Sequence, residues 1–362
     1  MKYGWAMPKE GEEDNGYCLE RKILYSVHFR NANFMLIEII REKDNGFVFY
    51  SVTDISSFST IDGFMMVFYS DVYVLPLPEG HKFPITKYRL VRDGLMVEGI
   101  LEHHEFYLSE PVPPELVKLA HAPQYVDAVV SGTVERMIMR RIGFPWTPEL
   151  VVRSFTIVGG AIASAEEALE SGIAGNLAGG THHALAGAGE GFCVFNDLAV
   201  VTEYLFAQGL VRRVAVIDLD VHQGNGTAAI LGGRENVYLF SMHGAKNYPF
   251  RKVPSTVDID LPDNTTDNEY LAILERELPK IFAWKPDIVL YQAGVDPLRE
   301  DTLGRLALTM DGLARRDEMV FLACKRHGIP VSIAMGGGYA KPVHLTVQAH
   351  IQTYRVLRQV YG

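Results

Sequence analysis

The sequence predicts an α/β protein: a doubly wound, mostly parallel sheet flanked by helices. Two observations predict it. From Val67 onward, stretches with helical apolar spacing alternate with short β-branched runs, the rhythm of a parallel sheet covered on both faces. Three of those β-branched runs also end in polar residues capable of chemistry, as expected where ligands bind beyond the carboxyl ends of parallel strands.

The first 64 or so residues read differently. MLIEIIREKDNGFVFYSV, Met35 to Val52, places two β-like runs around Asp44-Asn45-Gly46, a hairpin signal. A lone hairpin is at best marginal in water. Residues 1–65 are therefore expected to be an N-terminal extension, β-like or poorly ordered, unless Met65 or Met66 is the true start. Residues 66–362 are expected to form one catalytic-size domain. Helical spacing covers Tyr88–Ile100, Pro114–Leu119, Gln124–Val130, Pro148–Glu170, Leu198–Gln208, Glu269–Ala283, Asp311–His327 and Val343–Val360. The later strands are expected at VAVIDLD (214–220), NVYLFSM (236–242), DIVLYQAG (287–294) and PVSIAMGG (330–337).

Composition narrows the class. A hydrophobic share of 48% and a charged share of 22% in 362 residues are those of an ordinary globular protein. A net charge of −10 speaks against a nucleic-acid footprint and is compatible with basic, lysine-containing partners. Cys18, Cys193 and Cys324 are too far apart for a disulfide framework or a CxxC metal site. The N-terminus carries acidic residues where a signal peptide needs an apolar run. No apolar stretch approaches the ~20 residues of a membrane span. The expectation is a cytoplasmic protein that binds neither membrane nor nucleic acid.

The strand ends carry the chemistry. In VIDLDVHQGNGT, Asp218, Asp220 and His222 fall at every second position, so on a strand all three share a face. The run 287–294 leads into GVDPL with Asp296, and the run 330–337 into GGGY with Tyr339. Asp220, His222 and Asp296 would give a metal three O and N ligands and leave an open position, the composition of a catalytic zinc-like site. Asp218 lies one pleat deeper. Residues two apart on a strand are roughly 6.5–7 Å apart, against a Zn–O bond of about 2.0–2.2 Å. It is read as the orienter of a histidine; a buried Asp that merely caps backbone N–H groups is the competing reading.

That histidine lies in GGTHHALAGAGEGFCVFND (179–197). His182 and His183 cannot share a face of a regular strand, but both can turn inward from a Gly-flanked loop. One can move a proton and the other stabilise charge, provided each is oriented; Asp218 and Asn225 are the candidate orienters. A surface loop is the rival reading of a histidine pair alone. Gly191 and Phe192 read as a close backbone approach beside an aromatic wall, or as ordinary packing. Tyr339 reads as an oxyanion donor. A phosphate loop would need GxGxxG or GxxxxGK[ST], which the GGG run lacks.

THHA, GFCVFND, DLDVHQGNGT, GVDPL and GGGY stand in the order and approximate spacing of the histone deacetylase superfamily. IGFPWTPELVVRS (142–154) and VDPLREDTLGRLALTMDGLARRD (295–317) resemble its class IV and bacterial branch. The resemblance covers about residue 67 to the C-terminus. It implies an arginase/deacetylase-like fold and a zinc-dependent amidohydrolase that frees an amine from an N-acyl, usually N-acetyl, group. The amine would be lysine in a protein or peptide, or a small acylated amine. By position, Asp220, His222 and Asp296 would bind one Zn2+ per chain. His183 would be general base and then acid, His182 its electrostatic partner paired with Asp218, and Tyr339 the residue that polarises the carbonyl. Gly191, Phe192, Tyr248, Leu303 and Gly337 would line the acyl-lysine tunnel. Asp218, Asp220, His222, Ser241 and Met242 would hold K+ or Na+ beside the zinc.

Two positions depart from that pattern. Asn225 stands where many relatives have Asp; an amide accepts the imidazole N–H but adds no charge, so His183 is expected to be a weaker base. Ala161 follows Gly159-Gly160 where relatives commonly have Thr. Two rival functions remain beside the deacylase. A binuclear-manganese ureohydrolase needs a second carboxylate where GVDPL supplies only Asp296. A non-catalytic acyl-lysine-binding scaffold would not need the full set of ligands, histidines and tyrosine.

Overall fold

The computed structural model describes residues 23–27, 35–41, 47–51, 65–78 and 80–362. The chain divides into two units, Met1–Ile61 and Asp62–Gly362, against an expected boundary at 65/66. In the first, β1 (Ile23–Val27), β2 (Met35–Arg41) and β3 (Phe47–Ser51) form an antiparallel sheet in the order β1-β2-β3. The β2–β3 pairing runs from Ile37 opposite Ser51 to Arg41 opposite Phe47. The turn expected at Asp44-Asn45-Gly46 lies outside the described residues.

The second unit is built on one sheet of eight strands, all neighbouring pairs parallel. They are β4 (Met66–Tyr69), β5 (Phe106–Leu108), β6 (Ile173–Asn176), β7 (Val214–Asp218), β8 (Val237–Gly244), β9 (Val257–Leu261), β10 (Ile288–Gln292) and β11 (Val331–Ala334). Their order is β5-β4-β6-β11-β10-β7-β8-β9. The helices are α1 (Lys87–Val97), α2 (Pro114–Val117), α3 (Pro123–Ser131), α4 (Arg136–Ile142) and α5 (Pro148–Ser171). They continue with α6 (Asp197–Ala207), α7 (Asn225–Leu231), α8 (Asp267–Ala283), α9 (Met310–His327) and α10 (His344–Tyr361).

Both faces of the sheet are covered, and the strand residues alternate between them. Ala215 and Ile217 of β7 enter one apolar core with Val289 and Tyr291 of β10. Val214 and Val216 enter the other with Ile288 and Leu290. This is why these strands read as continuous apolar runs. The helices begin where local chemistry satisfies their free N–H groups. Thr147 Oγ1 accepts from Leu150 N at 3.2 Å before α5, and Asn196 Oδ1 accepts from Ala199 N at 2.9 Å before α6. Thr266 and Glu269 cap α8 reciprocally. Among the described residues no helix is long and apolar enough to cross a membrane.

The strands that carry the candidate ligands are neighbours near the middle of the sheet. In register, Gln292 of β10 sits beside Asp218 of β7 and Ala334 of β11, so three strand ends open onto one edge.

Candidate active site

Strand β7 ends at Asp218, earlier than the expected 220, so Asp220 and His222 do not face one way through strand alternation. Local hydrogen bonds turn them instead. Asp218 Oδ1 accepts from Asp220 N at 3.2 Å, and Asp220 Oδ1 accepts from His222 N at 2.9 Å. Each carboxylate thus binds the backbone two residues on, as Asp does in turns. The buried guanidinium of Arg316 pins the neighbouring strand ends, donating to Gly294 O at 2.6 Å and Leu219 O at 3.3 Å.

Asp220, His222 and Asp296 converge, each offering a ligand atom within 4.8 Å of the others. His222 Nδ1 lies 3.0 Å from Asp220 Oδ1 and 3.1 Å from Asp296 Oδ2. The outer carboxylate oxygens are already engaged. Asp220 Oδ2 accepts from Gly337 N and Asp296 Oδ1 from Val221 N, both at 2.8 Å. Two buried carboxylates and an imidazole, with Asp220 Oδ1, Asp296 Oδ2 and His222 Nδ1 turned towards one another, form a donor set that fits a divalent cation. Their mutual fields are strong. Burial lowers the pKa of His222, but Asp296 and Asp220 outweigh it and raise it to about 10. Burial and the Asp220 charge push Asp296 up to about 7. A cation relieves that repulsion directly.

Asp218 stands apart from the triad and meets the histidine loop. His182 donates from Nδ1 to Asp218 Oδ2 at 2.7 Å, and His183 donates from Nδ1 to Asn225 Oδ1 at 2.7 Å. The two rings are buried, 4.2 Å apart between centroids. Asp197 holds the loop in place, its carboxylate taking Gly180 N at 2.7 Å and Thr181 N at 2.8 Å. Gly191 must be glycine here, because a Cβ would lie 2.6 Å from His183 Cδ2. Gly337 is held similarly: a Cβ would lie 2.0 Å from Asp296 Oδ2. Burial, then the neighbouring His182 and His222, drive the His183 pKa well below its usual value.

Tyr339 closes the other side, its ring 6.0 Å from that of Phe192. Its backbone N–H donates to Asp301 Oδ2 at 2.6 Å. Burial, then the Asp296 and Asp220 charges, raise the phenol pKa well above its usual value. Tyr248 meets His183 edge-on at 4.9 Å. Leu303 lines the outer groove with Tyr248, and its carbonyl accepts from Asn247 Nδ2 at 2.8 Å. Ser241 pairs with Asp218 across β7 and β8, while the Met242 side chain belongs to the core.

Four contributors were not visible in the sequence. Phe83 and Phe144 extend the aromatic wall, 5.3 and 5.4 Å from Phe192. Lys87 is fully buried and donates to Gly336 O at 3.1 Å, supporting the glycine run before Tyr339. Glu190, also buried, accepts from Asn225 Nδ2 at 2.8 Å. Asn225 therefore touches a carboxylate on one side and His183 on the other. The GEG run before Phe192 was the available signal for Glu190.

Residues 81–354 match the family model described as the histone deacetylase domain. The chain belongs to the histone deacetylase family. It is 44% identical over 300 residues to an uncharacterized protein of Picosynechococcus sp., covering 83% of this chain and 100% of that protein. It is 32% identical over 283 residues to histone deacetylase 2 of Arabidopsis thaliana, covering 75% and 73% respectively. It is 28% identical to the acetoin utilization protein AcuC of Staphylococcus xylosus over 281 residues, 71% of this chain and 73% of that one. The fold matches the crystal structure of a histone deacetylase homologue from Aquifex aeolicus with a TM-score of 0.70. That match has 24% identity over 82% of this chain and 84% of that one. Family membership supports a deacetylase hydrolase, and among the described residues Asp220, His222 and Asp296 form a group able to hold a metal ion.

Proposed function

We propose that the chain is a zinc-dependent deacylase that hydrolyses an N-acyl amide, most readily N-acetyl, on lysine or a similar amine. The convergence of Asp220, His222 and Asp296, beside a cavity that Asp220 and His222 line together with His183 and Tyr339, carries this reading. That cavity, about 60 Å³, is also lined by Arg153 and Ile157.

Zinc held by Asp220, His222 and Asp296 would supply Lewis acidity, polarising the acyl carbonyl and making water a better nucleophile at neutral pH. K+ or Na+ would sit deeper, against Asp218, Asp220, His222, Ser241 and Met242. The chain's own residues do the rest. Asn225 fixes the His183 tautomer by taking its Nδ1–H, which leaves Nε2 to accept the proton of the attacking water. The Tyr339 hydroxyl donates to the carbonyl oxygen as negative charge develops there. His183 then returns the proton to the departing amine as the C–N bond breaks. His182, held by Asp218, places positive charge beside the same centre. Gly191, Phe192, Tyr248, Leu303 and Gly337 form the walls of the passage.

Tyr339→Phe tests the assignment: turnover of an acetyl-lysine peptide should fall by about 10²–10³-fold, with metal content unchanged. Full activity in a metal-replete variant would remove Tyr339 from the mechanism. Metal analysis separates the rival functions. One zinc per chain is expected; two manganese ions would favour a ureohydrolase, and no metal a binding scaffold. One three-residue metal set occurs among the described residues, which supports a single ion.

A further inference from the structure

We propose that the entrance of this site selects substrates bearing negative charge beside the acylated amine, an inference that rests on the deacylase reading of the same site. A groove of about 490 Å³ opens outward from His183, His222 and Tyr339. Its lining includes Lys82, Arg141, Lys246 and Arg305 and no carboxylate. All four cations are exposed, on a chain whose net charge is −10. The whole-chain sum therefore has the wrong sign for the surface that a substrate meets.

The cations come from four separate segments, and two are placed by contacts with the tunnel itself. Lys82 precedes Phe83, whose ring packs 5.3 Å from that of Phe192. Arg141 closes α4, and its carbonyl accepts from Gly191 N at 3.0 Å. Neutralisation from within the protein is incomplete. Asp263 lies 3.4 Å from Lys246 and 3.1 Å from Arg305, one carboxylate for two cations. Among the described residues Lys82 and Arg141 have no carboxylate within ion-pair distance. The nearby acids are engaged: Asp301 accepts from the backbone N–H groups of Leu303, Gly304 and Tyr339, and Glu190, behind the groove wall, binds Asn225 and the Tyr248 hydroxyl.

The groove that reaches His183, His222 and Tyr339 thus carries incompletely neutralised positive charge, and such charge acts over a Debye length, about 8–10 Å at physiological salt. A substrate amine with a carboxylate one or two residues from the acyl group gains attraction on approach. A cationic chain, such as an acetylpolyamine or a lysine-rich tail, meets repulsion at the same place. The shared chemistry is a carboxylate near the acylated amine, whether from acidic neighbours in a peptide or from the free carboxylate of N-acetyl-lysine.

The test uses zinc-loaded full-length protein and acetyl-lysine peptides of one length with Glu, Ser or Lys on both sides. N-acetyl-lysine, its carboxamide and N-acetylspermidine are assayed in parallel. Both kcat/KM and the Kd of fluorescent peptides are measured at low and high salt. The Glu-flanked peptide should exceed the Lys-flanked one by about tenfold or more at low salt, with the gap shrinking as salt rises. In the double variant Lys82→Gln/Arg141→Gln that ratio should collapse towards one. A preference of N-acetyl-lysine over its carboxamide as large as that among the peptides assigns the selection to small molecules; the reverse assigns it to peptides. Equal kcat/KM and Kd across the three peptides, or a preference for N-acetylspermidine, overturns the proposal while leaving the deacylase reading intact. A Kd preference for Glu flanks without hydrolysis of any amide supports the charged entrance and overturns the deacylase reading.

Discussion

The two adjacent histidines are supported in different ways. His182 donates straight to a buried carboxylate, Asp218, at 2.7 Å. His183 donates to the amide of Asn225 at the same distance, and that amide in turn donates to Glu190 at 2.8 Å. One imidazole has its negative charge in contact; the other has it one residue further out. A carboxylate in contact favours a permanently charged imidazolium, which suits electrostatic stabilisation. An intervening amide fixes the tautomer while leaving the ring free to gain and lose a proton, which suits a base. In the proposed mechanism the difference would let two neighbouring residues of one type divide the work.

The widest test of that division removes the mobile proton. His183→Ala should lower turnover of an acetyl-lysine peptide by about 10²–10⁴-fold while zinc content stays at one per chain, measured by atomic absorption. Because Asn225 and Glu190 remain, small imidazole bases added to the assay should restore part of the rate. A variant within a few-fold of the parent would end the assignment of His183 as the base.

A smaller loss is expected on the carboxylate side. Asp218→Asn keeps a hydrogen-bond acceptor for His182 and removes the charge, which should cost about 10–100-fold in kcat. Asp218 also accepts Asp220 N, so the same variant should bind zinc more weakly in a chelator competition. If Asp218→Asn and Asn225→Ala lowered kcat equally and neither touched zinc affinity, the two supports would be equivalent and the comparison would fail.

Legibility in the sequence followed the kind of force that places each residue. Strands β7, β8, β10 and β11 and eight helices announce themselves through periodicity, because burial on one or both faces writes that pattern. Strand β6, IAGN, does not: Gly and Asn are poor strand formers, and only its place between β4 and β11 makes it one. Helices α4 and α7 span seven residues each, and α7 begins inside HQGNG, which reads as a turn. The convergence of Asp220, His222 and Asp296 and the histidine pair were legible because these residues are compressed into short motifs. Lys87 was not, since 249 positions separate it from the Gly336 carbonyl it binds. Glu190 was hidden differently. An acid between two glycines reads as a solvated loop, and only the fold carries it to Asn225.

Glu190 gives the finest test of how the two histidines differ. Removing its charge in Glu190→Gln should lower kcat by about tenfold or less, with KM and zinc content little changed. Asn225→Asp alone should also lower kcat, because it sets two carboxylates against each other where an amide now donates at 2.8 Å. The double variant Asn225→Asp/Glu190→Gln swaps the order of amide and acid: the glutamine amide donates to the new carboxylate, which accepts from His183 directly. Its kcat should exceed that of either single variant, a coupling of about 1 kcal/mol or more. Strict additivity would mean that Glu190 merely fills space beside Asn225. Recovery in the double variant would instead show that His183 requires a negative charge on that side, and that the fold supplies it through Asn225.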